Sequence, residues 1–340
     1  MKAVQIHSFG PAETALEICR DVPEPPVGPG EVRIKVAATS VNPIDAAVRS
    51  GYGSEFFLAK GLVRMPLIPG RDIAGVVESV GEGVTRFAPG DKVWAGVPNF
   101  ATAQLAVAPE AWVAPLPASL NYIEAAAFPF AALTAWTALV DIVGLTPETT
   151  PGKRVVIPRG GGGVGSFAIQ LMKAWGAHVA TIVSTRNVEL VRSLGADEVV
   201  DYTQEDFAER LFDYDVAFDT AFDTEQKLLG TLKTGANAAY VSIVTPKLHL
   251  IDRLGLEAGI AAGESFLAER KEQQAKLGRR YDWSFMEPNG AGLEAIGALI
   301  DAGQIRPVID SVYTMEDIVE AHRLCETKRA QGKIVIEITP

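Results

Sequence analysis

Cysteine is nearly absent from this chain: its 340 residues include two, Cys19 and Cys325, far apart in sequence. That excludes a disulfide framework, a C-x-x-C redox pair and a four-thiolate structural zinc site, and it suits a reducing compartment. Histidine is scarce too. His7, His178, His249 and His322 are scattered, and no H-E-x-x-H pair of metal ligands occurs. No G-x-S-x-G is present, which removes the nucleophile elbow of an α/β-hydrolase. Basic residues fall short of acidic ones, 31 against 42, and the formal charge of -11 argues against a general nucleic-acid or anionic-membrane binder. The one local exception, Arg270, Lys271, Lys276, Arg279 and Arg280, reads as a solvated helix face. Long apolar runs are missing: Ala125–Val140 is interrupted by Pro129 and is short for a membrane-spanning helix. No signal peptide or transit segment precedes the strand-like Ala3-Val4-Gln5-Ile6, so a cytoplasmic protein is expected.

What is present is an ordinary globular composition, 48% hydrophobic and 21% charged, with chain enough for two domains of roughly 100–200 residues. Roughly the first 120 residues alternate short β-type runs with Pro/Gly turns, as in Glu31–Val36, Ile73–Val77 and Lys92–Ala95. This predicts a β-rich, barrel-like domain. From about Asn121 longer helices alternate with strands, the texture of a parallel sheet with crossover helices. Expected strands there are Arg154–Ile157, His178–Val183, Glu198–Val200, Tyr214–Phe218, Ala238–Ile243 and Tyr281–Phe285, six in a doubly wound sheet. A last strand, Lys333–Ile338, is expected to rejoin the first domain.

The densest signal lies at residues 153–165. A β-branched run, Val155-Val156-Ile157, feeds a glycine turn, and an apolar-periodic helix leaves it. Gly160, Gly162 and Gly165 satisfy G-x-G-x-x-G, with Gly163 and Val164 between the last two. The first glycine permits the tight turn and the second lets backbone approach a pyrophosphate. The third lets helix and strand pack closely, and the helix N-terminus faces the phosphates. The strand-before, helix-after context makes this a dinucleotide site rather than a chance glycine loop.

Which dinucleotide is decided at the tip of the next strand. An NAD-binding chain is expected to place Asp or Glu there, about 20 residues past the glycines, on the ribose 2′-hydroxyl. The tip here reads Ser184-Thr185-Arg186-Asn187, with no carboxylate. Arg186 supplies a charged donor fork suited to a 2′-phosphate and Ser184 adds a hydroxyl, which favours NADPH. The bland alternative is a solvated arginine at a strand end.

Several collinear stretches resemble the medium-chain dehydrogenase/reductase superfamily, and within it the zinc-free quinone oxidoreductase branch. They include Ser40–Asp45, Pro69–Val77, Phe87–Val93, Ala132–Trp136, Leu194–Asp197, Ile305–Val308 and Gly332–Val335. Arg49–Gly53, Gln170–Trp175, Asp252–Gly255 and Asp301–Pro307 are similar to the reticulon-4-interacting subgroup. The resemblance implies a chaperonin-10-like catalytic domain from residues 1–125 and 288–340, a Rossmann NADPH-binding domain from 126–287, and a homodimer. It implies that Asn42 and Thr134 hold the nicotinamide and its ribose, that Tyr202 lies against the 2′-phosphate, and that Ser242 sits close to the nicotinamide. Departures from the pattern are Pro158 and Arg159 before the glycines, with Arg159 either a phosphate contact or exposed, and Phe222, which is expected to narrow the cofactor cleft.

Zinc members of that superfamily carry a Cys near the position of Asn42-Pro43 and His-Glu where this chain has Arg71-Asp72. A zinc-free enzyme is therefore expected. Without a Lewis acid, reduction of an electrophilic quinone or enone is easier than oxidation of an alcohol, because the acceptor delocalises the incoming charge. Tyr52, between Gly51 and Gly53, falls one residue from alignment with the catalytic tyrosine of related enoyl reductases and is the expected donor. Arg49 is expected to stabilise oxyanion charge and Asp45 to orient it; the alternative is a surface pair. An enoyl-thioester reductase and a non-catalytic NADPH-binding sensor or docking protein stay open beside the quinone or enone reductase.

Overall fold

Alternation of apolar and polar residues builds the first sheet. In the strand Glu31–Val41, Val32, Ile34 and Val36 turn into the core while Arg33 and Lys35 turn away. The computed structural model describes residues 1–235 and 237–338 of the chain. These fall into two units, one of Met1–Leu133 with the stretch from Pro288 onward, the other of Thr134–Glu287.

The first unit carries a seven-stranded sheet in the order Ile309–Thr314, Lys333–Glu337, Glu31–Val41, Asp72–Val80, Lys92–Gly96 and Val113–Pro115, with Leu105–Pro109 paired to Glu31–Val41. Its pairings are antiparallel, except that Ile309–Thr314 and Lys333–Glu337 run parallel. Two registers set up the candidate site. Ile334 faces Val41, which brings Lys333 to the level of Asn42. Ala74 faces Ala38, and the same register carried two residues on brings Asp72 beside Ser40. Residues 40, 42, 72 and 333 therefore converge at one end of the sheet.

The second unit is a six-stranded, wholly parallel sheet in the order Glu198–Asp201, His178–Val183, Arg154–Pro158, Val216–Asp219, Ala239–Ser242 and Arg280–Trp283. Counted along the chain that is 3-2-1-4-5-6, the doubly wound order with its switch point between the first and fourth strands. All six lie within a few residues of the expected segments. Val155, Val156 and Ile157 are fully buried, as strands covered on both faces require.

Two expectations need correction. The largely helical stretch Tyr122–Ile142 spans 21 residues, and by length and composition it is long enough to cross a bilayer. The break expected at Pro129 is present: the helix Tyr122–Ala125 ends in a turn over residues 126–128, and Pro129 opens the next helix, Pro129–Trp136, where a missing N–H costs nothing. In its most apolar 18-residue window 72% is buried within the protein, which makes it a core segment. The basic cluster is not one solvated face either. The helix Leu256–Ala275 ends before Arg279 and Arg280. Arg279 donates to the carbonyls of Lys233 and Leu229, and Arg280 to that of Val143. Arg270 pairs with Glu225, and Lys271 with Asp282. These cations close carbonyl ends and local carboxylates.

Candidate functional site

The strand Arg154–Pro158 turns at Arg159, whose φ of 53° is the left-handed region, and the helix Gly163–Ala174 starts after Gly162. A methyl group at Gly160 would run into Thr181 Oγ1 and come within 2.6 Å of Ile169 Cδ1. At Gly165 it would come within 2.5 Å of Arg159 O and 2.8 Å of the Gly160 Cα. Those two glycines are demanded by close packing of helix on strand. Gly162 is different: its φ is -87°, and a Cβ there would meet only Arg159 O, at an ordinary 3.5 Å. Sterics within the protein do not demand glycine at 162, which serves as the helix N-cap and leaves open space beside it. The N–H groups of Gly163, Val164 and Gly165 open the helix without intrahelical acceptors, a positive end suited to a pyrophosphate.

The strand His178–Val183 brings its tip to this turn. A Cβ at Gly161 would lie 2.7 Å from Asn187 Cγ. Ser184 is half-buried, Arg186 is exposed on the short turn Thr185–Asn187, and Tyr202 is held beside the tip by its N–H on the Val183 carbonyl, its ring 60% exposed. A carboxylate does stand here, contributed by the neighbouring strand. Asp201 accepts from Thr185 Oγ1 at 2.5 Å, from the Thr203 N–H and Oγ1, and from Gln204 Nε2. These bonds, the one from Thr185 foremost, hold its carboxyl below the usual range. Its acceptor capacity is spent on the protein. Sequence reading missed Asp201 because its pairing with Thr185 depends on the third strand lying beside the second.

At the switch point Thr220 Oγ1 donates to Pro158 O at 2.6 Å, tying the ends of the first and fourth strands together. Phe222, expected to narrow a cleft, is 53% exposed on the turn that follows, where Asp223 takes a φ of 63°. Ser242 is buried, and its hydroxyl donates to Val244 O at 2.9 Å. Thr134 is buried at the start of this unit.

In the first unit the converging strand ends hold a buried polar cluster. Asp72, with no exposed surface, accepts from Ser40 Oγ at 2.5 Å, from Asn42 Nδ2 at 2.8 Å and from the Phe130 N–H at 2.7 Å. Lys333 Nζ donates to Asn42 Oδ1 and reaches Asp72 Oδ2 at 3.3 Å. The Asn42 carboxamide is thus fixed at both ends, by a carboxylate on its nitrogen and an ammonium on its oxygen. Asn42 also caps the helix Pro43–Arg49, its N–H donating to Asp45 Oδ2 at 2.8 Å. Asp45 Oδ1 accepts from Arg71 Nε at 2.9 Å, and the Arg71 guanidinium lies 5.4 Å from the centre of the Phe130 ring. Burial raises the Asp45 carboxyl against the pull of Arg71.

Asp45 does not orient Arg49, as the sequence led us to expect. Arg49 has no exposed surface; Nη1 donates to Gly10 O at 2.8 Å and Nη2 to Glu326. It sits beside His322, whose imidazole is pushed down to about 3 by burial and by the Arg49 charge. The two residues are four apart on one helix but serve different neighbours, so neither a surface pair nor an Arg49 oxyanion site forms. Tyr52 lies half-buried in the turn after that helix, its N–H on the Ala47 carbonyl, between Gly51 (φ 99°) and Gly53 (φ 67°).

The Arg71 cluster does not fit a zinc ion. It contains two cations, Arg71 and Lys333, two aspartates, an amide and a hydroxyl, with no imidazole or thiolate directed at a common point. Among the described residues, His7, Glu17 and Cys19 bring one ligand atom each within 4.8 Å of one another, His7 and Glu17 exposed and Cys19 half-buried, beside the ribbon Ala3–Gln5/Glu17–Cys19 and remote in sequence from this cluster.

Residues 28–118 match an alcohol dehydrogenase GroES-like domain, and residues 194–336 a zinc-binding dehydrogenase domain. The chain is 41% identical to the Mus musculus protein named NAD(P)H oxidoreductase RTN4IP1, mitochondrial, over 91% of this chain and 82% of that one. The Danio rerio protein of the same name is 38% identical, with 91% and 84% covered. The quinone oxidoreductase of Coxiella burnetii superposes with a TM-score of 0.82 at 29% identity, covering 100% of this chain and 99% of that one. The cytoplasmic expectation is overturned by these relatives, which are named mitochondrial and point to that compartment. It rested on the chain's opening residues, and compartment addresses lie in segments that contribute nothing to the fold. With that much identity over that much length, the chain belongs to the RTN4IP1 family of NAD(P)H oxidoreductases, in the medium-chain dehydrogenase/reductase superfamily.

Proposed function

We propose that this protein is an NADPH-dependent reductase that passes hydride to a quinone or an α,β-unsaturated carbonyl without a metal ion. The observation that carries the cofactor half is Gly162, an open N-cap position in an extended conformation at the mouth of a helix, where no contact within the protein excludes a side chain and a pyrophosphate would have room to approach. The N–H groups from Gly163 to Gly165 would hold the pyrophosphate, and Ser184, Arg186 and Tyr202 the 2′-phosphate. NADPH is favoured over NADH because the nearby carboxylate, Asp201, already accepts from Thr185, Thr203 and Gln204 and has little to offer a ribose hydroxyl.

Bound there, the cofactor supplies a hydride and two electrons. Asn42, Thr134 and Ser242 would orient its nicotinamide end, with the Asn42 carboxamide held in one orientation by Asp72 and Lys333. Tyr52 would donate a hydrogen bond or proton to the acceptor oxygen. The acceptor class is supported by a buried donor set without imidazole or thiolate, which does not suit zinc, and by the likeness to a quinone oxidoreductase at 29% identity. NADPH consumption with 1,4-benzoquinone, with a crotonyl thioester and with no acceptor tests the reading. Turnover with the quinone and not the thioester is expected. Thioester turnover alone would make it an enoyl reductase, and binding without turnover a sensor or docking protein.

A further inference from the structure

Arg71 keeps only 8% of its side-chain surface exposed, yet only its Nε is hydrogen-bonded, to Asp45. Among the described residues, Nη1 and Nη2 have no hydrogen-bond partner. Neither is sealed away, in contrast to Nε of Arg49 or Nδ1 of His322, so both reach solvent. A guanidinium normally spends all five N–H groups when it is taken out of water, because an unmet charged donor is costly. Here Asp45 holds it from behind through Nε and Phe130 supports its flat face, leaving the far edge of the fork presented. Held cations with spare donors are what developing negative charge needs, and a held group pays no reorganisation when the charge appears.

We propose that Arg71 is the oxyanion-binding residue of this enzyme, its two terminal nitrogens donating to the carbonyl oxygen of the acceptor. The proposal rests on the hydride-transfer reading above and takes over the role that the sequence suggested for Arg49. In the step, the acceptor carbon gains a C–H bond as the C4–H bond of the reduced nicotinamide breaks. The acceptor's π electrons move onto its carbonyl oxygen, which becomes an enolate; with a quinone, this enolate then loses the ring C–H proton to solvent as it rearomatises to the hydroquinone. The acceptor is reduced by two electrons, the nicotinamide is oxidised, and the proton that completes the product comes from solvent, directly or through Tyr52. Arg71 keeps its own protons throughout, as a guanidinium must. Asp45 is then a positioning residue, aiming the fork without touching the acceptor.

The test uses the full chain and two readouts. First, p-nitrophenolate, a stable mimic of the reduced oxyanion, is titrated into the cofactor-free protein and followed by its absorbance. The wild type is expected to give a saturable shift, with the Kd raised at least about ten-fold in Arg71→Met. Second, turnover of an enone by Arg71→Met should fall about 10²-fold, the scale of a lost oxyanion donor, with NADPH affinity within about two-fold of wild type. Arg71→Met strands Asp45 in the core, so Asp45→Asn/Arg71→Met, which removes both charges, is measured beside it. No phenolate shift in the wild type, or wild-type turnover in a folded Arg71 variant, overturns the proposal. If the wild type fails to bind NADPH, the functional reading falls, and the phenolate titration still judges Arg71 by itself.

Discussion

Replacing Gly162 by valine separates the cofactor site from the fold that carries it. Backbone conformation allows the change, since φ is -87° and ψ is 173°, an extended pair that β-branched residues adopt readily. Space within the protein allows it too, because a Cβ would meet only Arg159 O at 3.5 Å. The remaining cost is that valine caps a helix less well than glycine, about 1 kcal/mol, or roughly 2–4 °C in melting temperature for a chain of this size. A pyrophosphate would meet the two γ-methyl groups at its point of closest approach. Losing two charge-assisted hydrogen bonds at about 1.5–3 kcal/mol each raises the Kd more than about 100-fold. Gly165→Ala should do the reverse at the level of stability, because its methyl meets backbone at 2.5 and 2.8 Å and the helix must move. Calorimetric titration with NADPH and thermal melts of both variants give the two axes. A Gly162→Val protein that binds NADPH as the wild type does would refute the placement of the phosphates.

Three further outcomes are expected. Arg186→Ala should weaken NADPH binding by about 1.5–3 kcal/mol and leave NADH nearly untouched; equal loss for both would mean that Arg186 does not read the 2′-phosphate. Tyr52→Phe should lower kcat roughly 10²-fold, more for an enone than for benzoquinone, with NADPH affinity kept, and wild-type rates on both acceptors would reduce Tyr52 to a wall residue. Prolonged chelation should leave turnover intact, whatever metal His7, Glu17 and Cys19 yield to elemental analysis; activity that falls with chelation and returns with zinc would overturn the metal-free mechanism.

The second unit was legible because its information is local. Each strand there is a short apolar run bounded by turns, and the glycine spacing is read within a dozen residues of chain. Contacts across strands were not legible in the same way. Thr185 meets Asp201 through sheet order, so a tip that looked free of carboxylate has one beside it. The first unit hid more. Asp45 and Arg49 stand on one short helix, and sequence proximity suggested that they act together. The strand pairing instead delivers Arg71 to Asp45, and the C-terminal helix delivers Glu326 to Arg49. Lys333, which lies 291 residues from Asn42 along the chain, enters only through the register of the last strand on Glu31–Val41.

That buried group of charges calls for an account other than stability. Asp45, Asp72, Arg71 and Lys333 are each less than a tenth exposed, and their formal charges cancel, two against two. Even so, desolvating such a set costs several kcal/mol per ion, and well-packed apolar residues of equal volume generally serve a fold as well or better. What apolar residues cannot do is fix the direction of a hydrogen-bonding group. Asp72 and Lys333 hold the Asn42 carboxamide by its nitrogen and its oxygen, which settles which end faces which way. Asp45 holds Arg71 by Nε alone and leaves the rest of its fork facing out. Both devices spend stability on orientation, and both act on groups that would meet a polar partner from outside the protein. On the proposed reading, Asn42 and Arg71 are the groups that meet substrate or cofactor, with Asp45, Asp72 and Lys333 as their support.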